Sequence, residues 1–157
     1  VKTDKKGYQT IEFYLSSGIW LKGFFDLFYT KRNNKFIKEI RQELINNLPM
    51  DPMILAVFFM DDGSVRNDCY AGKLATQGFT REENELLDSY LKKWNIDVKV
   101  NLHLENKNQY YISIPAASFV NFVKIIEPIV IEIPDMVYKL NNNKKPRNDW
   151  GKVVKYN

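Results

Sequence analysis

Cysteine is almost missing from this chain. Cys69 stands alone, so no disulfide can close within it. That usage suits a reducing compartment, and an intracellular setting is expected, with cytoplasm, organelle and nucleoid left open. Histidine is equally scarce, and a lone His103 does not make a zinc site. No apolar run approaches the ~20 residues of a membrane-spanning helix, so no membrane partner is expected. No signal peptide is visible. Val1 opens the chain in place of methionine. Two readings follow: a processed start, or the C-terminal portion of something longer.

What is present fits one domain, or one and a fraction, over 157 residues. Apolar residues make up 45%, enough for a real core. Lys and Arg outnumber Asp and Glu by 23 to 19, and the sequence pI is near 9.0, which favours a polyanionic partner but only weakly.

Tyr8–Leu15 alternates and is rich in β-formers, which predicts a strand. Ser16 or Ser17 then caps a helix through about Tyr29. Thr30–Lys35 reads as a basic loop, and Ile37–Leu48 as a short helix with Ile40, Leu44 and Leu48 on one face. Pro49 and Pro52 break that helix and mark a boundary. Asp51 is placed to cap the next helix, with Pro52 at its first position and Gly63 at its end. Val65–Tyr70 and Lys73–Gln77 read as strands joined at Ala71-Gly72. Thr80 and Glu83 form a capping box that opens a helix to about Trp94. Val98–Leu104 alternates, Glu105–Asn108 turns, and Tyr110–Ile114 returns. Pro115 opens a helix to about Ile126 that Pro128 ends, and Pro134 begins a last short helix ending near Leu140.

From Pro52 to Leu140 the order is α-β-β-α-β-β-α-α. Two hairpins predict an antiparallel four-stranded sheet with helices packed on one face, an α+β fold. The strand–helix–helix before Pro52 matches the second half of the same pattern, without a residue-level repeat. The tail after Asn141 is polar and basic.

The richest stretch is Leu55–Val65, LAVFFMDDGSV. An apolar helix ends abruptly in two aspartates and a glycine. A helix C-terminus already carries partial negative charge, so carboxylates there call for a positive neighbour, and a divalent metal is the natural candidate. The nine residues Leu55 to Gly63 resemble the LAGLIDADG motif of homing endonucleases, with Asp62 on the motif's metal-binding acid and Gly63 on its closing glycine. Leu74–Thr80 (LATQGFT) resembles the family's second strand leading into its capped helix. Tyr110–Ile114 with Pro115, and Met136–Leu140 (MVYKL), resemble its closing elements.

The resemblance implies a saddle of two αββαββα units packed through their motif helices, with two four-stranded sheets in the major groove of DNA. Each motif helix delivers one acid to a shared site. Divalent metal, usually Mg²⁺, bridges those acids and the scissile phosphates, and one phosphodiester is hydrolysed on each strand. On this reading residues 1–50 are the C-terminal part of a first LAGLIDADG-like unit. Residues 51–141 are a complete unit and 142–157 a basic tail. A second motif is not found before the first strand. Its helix comes either from an N-terminal part preceding this sequence or from a second copy in a homodimer, and the strand–helix–helix before Pro52 favours the former.

The implied function is a metal-dependent, site-specific endonuclease acting on double-stranded DNA. The alternatives are a maturase that binds intron RNA on the same fold and a catalytically inactive DNA-binding protein. Asp62 is the expected metal ligand and water activator. Asp61 points about 100° away and is left as an outer acid or a surface charge. Lys139 matches the basic residue near the family's active site, where it can stabilise charge on phosphate or position water. Gln77 is expected at a strand end near the motif, as a catalytic residue that orients water or contacts DNA, and Lys35 is the candidate for the first unit's catalytic lysine, with Lys31, Arg32 and Lys38 competing. Ala56, Val57 and Met60 are the expected helix–helix contact, Val57 standing where the family favours glycine. Arg66, Asn67, Lys73, Lys99, Asn101 and His103 are candidates for the groove-facing side of the sheet. Lys144, Lys145, Arg147, Lys152 and Lys155 are candidates for phosphate contacts.

Overall fold

A computed structural model of the chain describes residues 2–3, 9–10 and 18–140. The elements are β1 (Lys2–Thr3), β2 (Gln9–Thr10), α1 (Ile19–Phe28), β3 (Tyr29–Arg32), β4 (Lys35–Lys38), α2 (Gln42–Asn47), α3 (Pro52–Asp62), β5 (Gly63–Val65), β6 (Gly72–Leu74), α4 (Arg81–Lys92), β7 (Lys99–Leu104), β8 (Gln109–Ile114) and α5 (Ala116–Val130). Short 3₁₀ turns follow at Glu105–Lys107 and Pro134–Lys139. The order expected from Pro52 onward is the order found. Among the described residues no helix is long and apolar enough to cross a membrane.

β5, β6, β8 and β7 form the antiparallel four-stranded sheet, in that spatial order. Its register places Ser64, Lys73, Ser113 and Lys99 in one row across the strands. The neighbouring row, Gly63, Leu74, Ile112 and Val100, points to the opposite face. Leu74, Ile112 and Ile114 are fully buried on that face. The core continues into the helices through Phe59 of α3 and Phe119 and Phe122 of α5, with ring centroids 5.2–6.0 Å apart. Phe119 lies so close to β6 that a Cβ on Gly72 would come within 2.6 Å of its ring. Gly72 therefore belongs inside a strand because of what packs against it.

Residues 40–49 join the same core through Ile40, Leu44 and Ile45. Helix α4 holds this segment with polar bonds as well. The Tyr90 hydroxyl donates to the Pro49 carbonyl at 2.7 Å, and Lys93 Nζ to the Ile45 carbonyl at 3.2 Å. Glu83 accepts from two backbone amides at once: Thr80 N to Oε2 at 2.6 Å, completing the expected capping box, and Ile40 N to Oε1 at 2.8 Å. At the start of α3, Asp51 Oδ1 accepts from Met53 N at 2.9 Å, with Pro52 at the first position as anticipated.

Several boundaries differ from the expectation. The basic loop at Thr30–Lys35 is a hairpin, β3 pairing with β4. Asn33 and Asn34 both adopt positive φ, which builds the tight two-residue turn that matches strand twist. Ile37 and Lys38 are consequently strand, and the helix expected over Ile37–Leu48 is confined to Gln42–Asn47. Of the expected face Ile40, Leu44 and Leu48, only Leu44 lies in the helix; Ile40 is buried just before it and Leu48 is its half-buried C-cap, while Ile45 joins the core instead. β5 begins at Gly63, directly after α3, and residues 66–71 form the connecting loop rather than strand and turn. An Arg66–Asp68 ion pair and the Arg66 N to Ala71 O bond tie that loop together. Helix α5 passes through Pro128 to Val130. Proline removes only one helical bond there, to the carbonyl of Lys124, an exposed residue. The strand expected over Tyr8–Leu15 lies outside the described residues except for Gln9–Thr10.

The double role of Glu83 predicts an unusual cost for its removal. Glu83→Ala loses the cap and orphans the amide of a buried residue. It is expected to lower stability by about 2 kcal/mol in urea denaturation, against about 1 kcal/mol for Thr80→Ala. Equal losses would show that the Ile40 bond contributes nothing.

Candidate active site and nucleic-acid interface

Helix α3 is apolar almost all round, a composition expected of a helix that is covered on every side. One side meets the core: Leu55, Ala56 and Phe59 are buried. The other does not. Met53 is 48% and Val57 51% exposed, and Asp61 completes the line at four-residue spacing. Ala56 therefore leaves the expected contact face, because it lies on the Phe59 side, and Met60 is half-buried against the core. Beside the open stripe runs a groove of about 450 Å³, lined by Phe28, Lys38, Leu48, Met53, Val57, Phe58, Asp61, Asp62 and Phe79 among others.

Two distant segments converge on the C-terminal end of α3. Lys139 Nζ donates to the Gly63 carbonyl at 2.8 Å and to the Asp61 carbonyl at 3.4 Å. Ala75 N, just past β6, donates to the Asp62 carbonyl at 2.8 Å. Carbonyls that the helix leaves unpaired are thus taken by a cation and an amide. The ammonium also offsets the negative end of the helix dipole where two carboxylates stand. Gly63 is required by space: a Cβ there would sit 2.1 Å from Phe59 Cδ2 and 2.5 Å from the Phe59 carbonyl. Its φ of −89° is open to any residue, so the constraint is steric.

Asp61 and Asp62 are both exposed and both line the groove. Gln77, half-buried, follows Ala75 by two residues in the loop before Thr80. That loop is fixed from below by the buried pair Thr76 and Asn84. Thr76 Oγ1 donates to Asn84 Oδ1, and Asn84 Nδ2 to the Thr80 carbonyl at 2.8 Å. Lys35 stands beside the hairpin turn, opposite Arg32. The lysine that reaches the groove with the two aspartates is Lys38, whose ammonium is 5.7 Å from the Phe79 ring centroid. In β4 these two lysines are three residues apart and so point to opposite faces. Only knowledge of the hairpin separates them, and the chain reads there as loop. Among the described residues no three His, Cys, Asp or Glu side chains cluster to hold a metal.

The open face of the sheet carries Ser64, Lys73, Lys99, Asn101, His103, Tyr111 and Ser113. Lys99 and Asn101 share this face as the alternation of β7 required; the ladder is irregular between Leu102 and Leu104, and His103 is placed on the same face by its ring contact with Tyr111. Arg66 and Asn67 lie in the loop beyond β5. Arg66 Nε and Nη2 grip Asp68 at 2.9 and 2.7 Å, which holds the Asp68 carboxyl down to about 2 and raises the guanidinium. Asn101 Nδ2 donates to the Lys99 carbonyl at 2.9 Å and to Ser113 Oγ at 2.8 Å, so its amide hydrogens are already used. Lys144, Lys145, Arg147, Lys152 and Lys155 lie outside the described residues.

A family model for the LAGLIDADG DNA endonuclease family matches residues 1–122. The chain belongs to that family. Among curated relatives, DNA endonuclease I-ChuI of Chlamydomonas applanata is 30% identical over 132 residues, covering 80% of this chain and 59% of the relative. Probable intron-encoded DNA endonuclease 3 of Mycosarcoma maydis is 31% identical over 116 residues, covering 73% of this chain and 81% of the relative. A solved structure of the homing endonuclease I-WcaI bound to its DNA recognition sequence superposes with a TM-score of 0.58 at 33% identity, covering 69% of this chain and 47% of the other. The LAGLIDADG chain described here thus spans about half to three fifths of the length of I-WcaI and I-ChuI.

The crowding at Gly63 predicts that Gly63→Ala lowers stability by about 2 kcal/mol, because Phe59 is locked between Phe119 and Phe122. Thermal denaturation checks it, and an unchanged midpoint would mean that the helix end shifts freely.

Proposed function

We propose that this chain carries the C-terminal part of a site-specific DNA endonuclease that hydrolyses phosphodiesters of double-stranded DNA. Residues 1–50 are the end of a first LAGLIDADG unit and 51–141 a complete second unit, followed by a basic tail. The observation that carries the reading is the end of α3, where Asp62 stands exposed beside Lys139, whose ammonium is bound to that helix terminus.

The donor set fits Mg²⁺. Two exposed carboxylates are hard oxygen ligands, and Mg²⁺ is commonly held by one or two carboxylates with waters and substrate phosphate completing its shell. Bound there, the metal supplies Lewis-acid charge stabilisation and a nucleophilic water at neutral pH. Asp62 is the ligand, and Asp61 serves as an outer acid at the same helix end. Lys139 and Lys38 bring positive charge to the two sides of α3's end, where phosphate charge builds. Lys38 takes the role first considered for Lys35. Gln77, next to the Thr76–Asn84 pair in the same loop, is the candidate for orienting water.

The exposed stripe Met53, Val57, Asp61 and its groove take a second motif helix, from an upstream unit or a second copy. That helix brings the partner acid. Lysines and arginines on the sheet and loop supply salt-dependent phosphate affinity, and the sheet face supplies choice among bases. Asn101 does so through Oδ1 alone, as an acceptor, because both Nδ2 hydrogens are engaged.

With a cleavable target selected from a randomised plasmid library, Asp62→Asn is expected to lower the cleavage rate at least about 100-fold while duplex binding stays within about twofold. An unchanged rate would remove Asp62 from the reaction. Lys139→Met is expected to slow cleavage about 10-fold or more at unchanged affinity. Intron RNA bound in preference to duplex DNA would overturn the endonuclease reading in favour of a maturase.

A further inference from the structure

The exposed sheet face holds a three-residue assembly at its centre. Tyr111 of β8 lies opposite Asn101 of β7, and Lys73 of β6 lies opposite Ser113. Lys73 and His103 are therefore diagonal neighbours of Tyr111, one on each flank. The Lys73 ammonium sits 4.4 Å from the Tyr111 ring centroid, within the range of a cation–π contact. His103 meets the same ring edge-on, at 5.9 Å between centroids and 85° between planes. Lys73 and Tyr111 are both half-buried, so the lysine stem lies along the ring rather than waving in solvent.

A lysine on a flexible stem is a poor reader of sequence. Its ammonium finds any phosphate oxygen, and ordering it costs entropy. Pinned at one point on the sheet, the same ammonium becomes a donor at a fixed position. Guanine alone presents two adjacent acceptors, O6 and N7, in the major groove; adenine places an amino group beside N7, and thymine a methyl group beside O4. We propose that Tyr111 is a specificity-determining positioning residue, whose ring holds the Lys73 ammonium to take the acceptor pair of a guanine. This rests on the reading that the sheet lies against duplex DNA.

The test uses the 157-residue chain, a pool of randomised duplex DNA and EDTA, so that nothing is cut. The bound pool is sequenced for the unaltered chain and for Tyr111→Phe, Tyr111→Leu and Lys73→Met. The unaltered chain and Tyr111→Phe, which keeps the ring, are expected to favour guanine about 10-fold at one shared position. Tyr111→Leu and Lys73→Met are expected to flatten that position to within about twofold and leave the other positions intact. Retained guanine preference in Tyr111→Leu overturns the proposal. So does a uniform loss of affinity in Lys73→Met, which would make Lys73 a phosphate contact. If the unaltered chain binds no duplex, the reading that this sheet lies against DNA falls, and the proposal with it. A folding defect in Tyr111→Leu leaves a measurement on the unaltered chain: the Lys73 ε-methylene protons should resonate upfield of those of other lysines through the ring current. Resonances at the ordinary lysine position would also overturn the proposal.

Discussion

Two carboxylates at the C-terminus of a helix stand where the backbone is already negative, and the fold around α3 is arranged to make that tolerable. Lys139, more than seventy residues further on, returns to donate to the Asp61 and Gly63 carbonyls. Ala75 donates to the Asp62 carbonyl between them. The order of elements follows from this need. The 3₁₀ turn must come back from α5 to the start of β5, and β6 must run alongside it. Asp62 is then presented on a helix end whose own polar groups are satisfied, leaving the two exposed carboxylates for an external partner.

The features legible in the chain were those set by local chemistry. The Asp51–Pro52 start, the Thr80–Glu83 capping box and the alternation of β7 depend on neighbours a few residues away, and each stands where the residues placed it. The order α-β-β-α-β-β-α-α was legible for the same reason. The aspartates at the end of α3 stand out by local chemistry, but the placement of Lys139 was legible only through resemblance, because nothing local says that a lysine so distant returns to the motif helix. The two-asparagine turn at Asn33-Asn34 is written in the sequence, but its flanking strands are short and basic and carry no strand signal. Without the hairpin, nothing ranks Lys38 against Lys35, Lys31 and Arg32.

The faces of α3 illustrate a different limit. Apolar residues occupy nearly every position, so periodicity cannot say which side meets the core. The answer lies in α5, whose Phe119 and Phe122 take up Phe59 and with it Ala56. The side left over is Met53 and Val57, and only packing identifies it. A helix without amphipathic pattern is itself informative, because it signals two apolar neighbours where the described chain supplies one.

Helix α3 passes into β5 at Gly63 with no intervening residue. The junction works as a ruler. A single peptide unit fixes both the direction in which Asp62 points and the phase of the strand that follows, so the acid and the exposed face of the sheet cannot drift relative to one another. One inserted residue there would turn Ser64 inward and rotate the acid by about 100° at the same time. In the proposed endonuclease, reading and cutting would lose register together, so this joint would not tolerate a change in length.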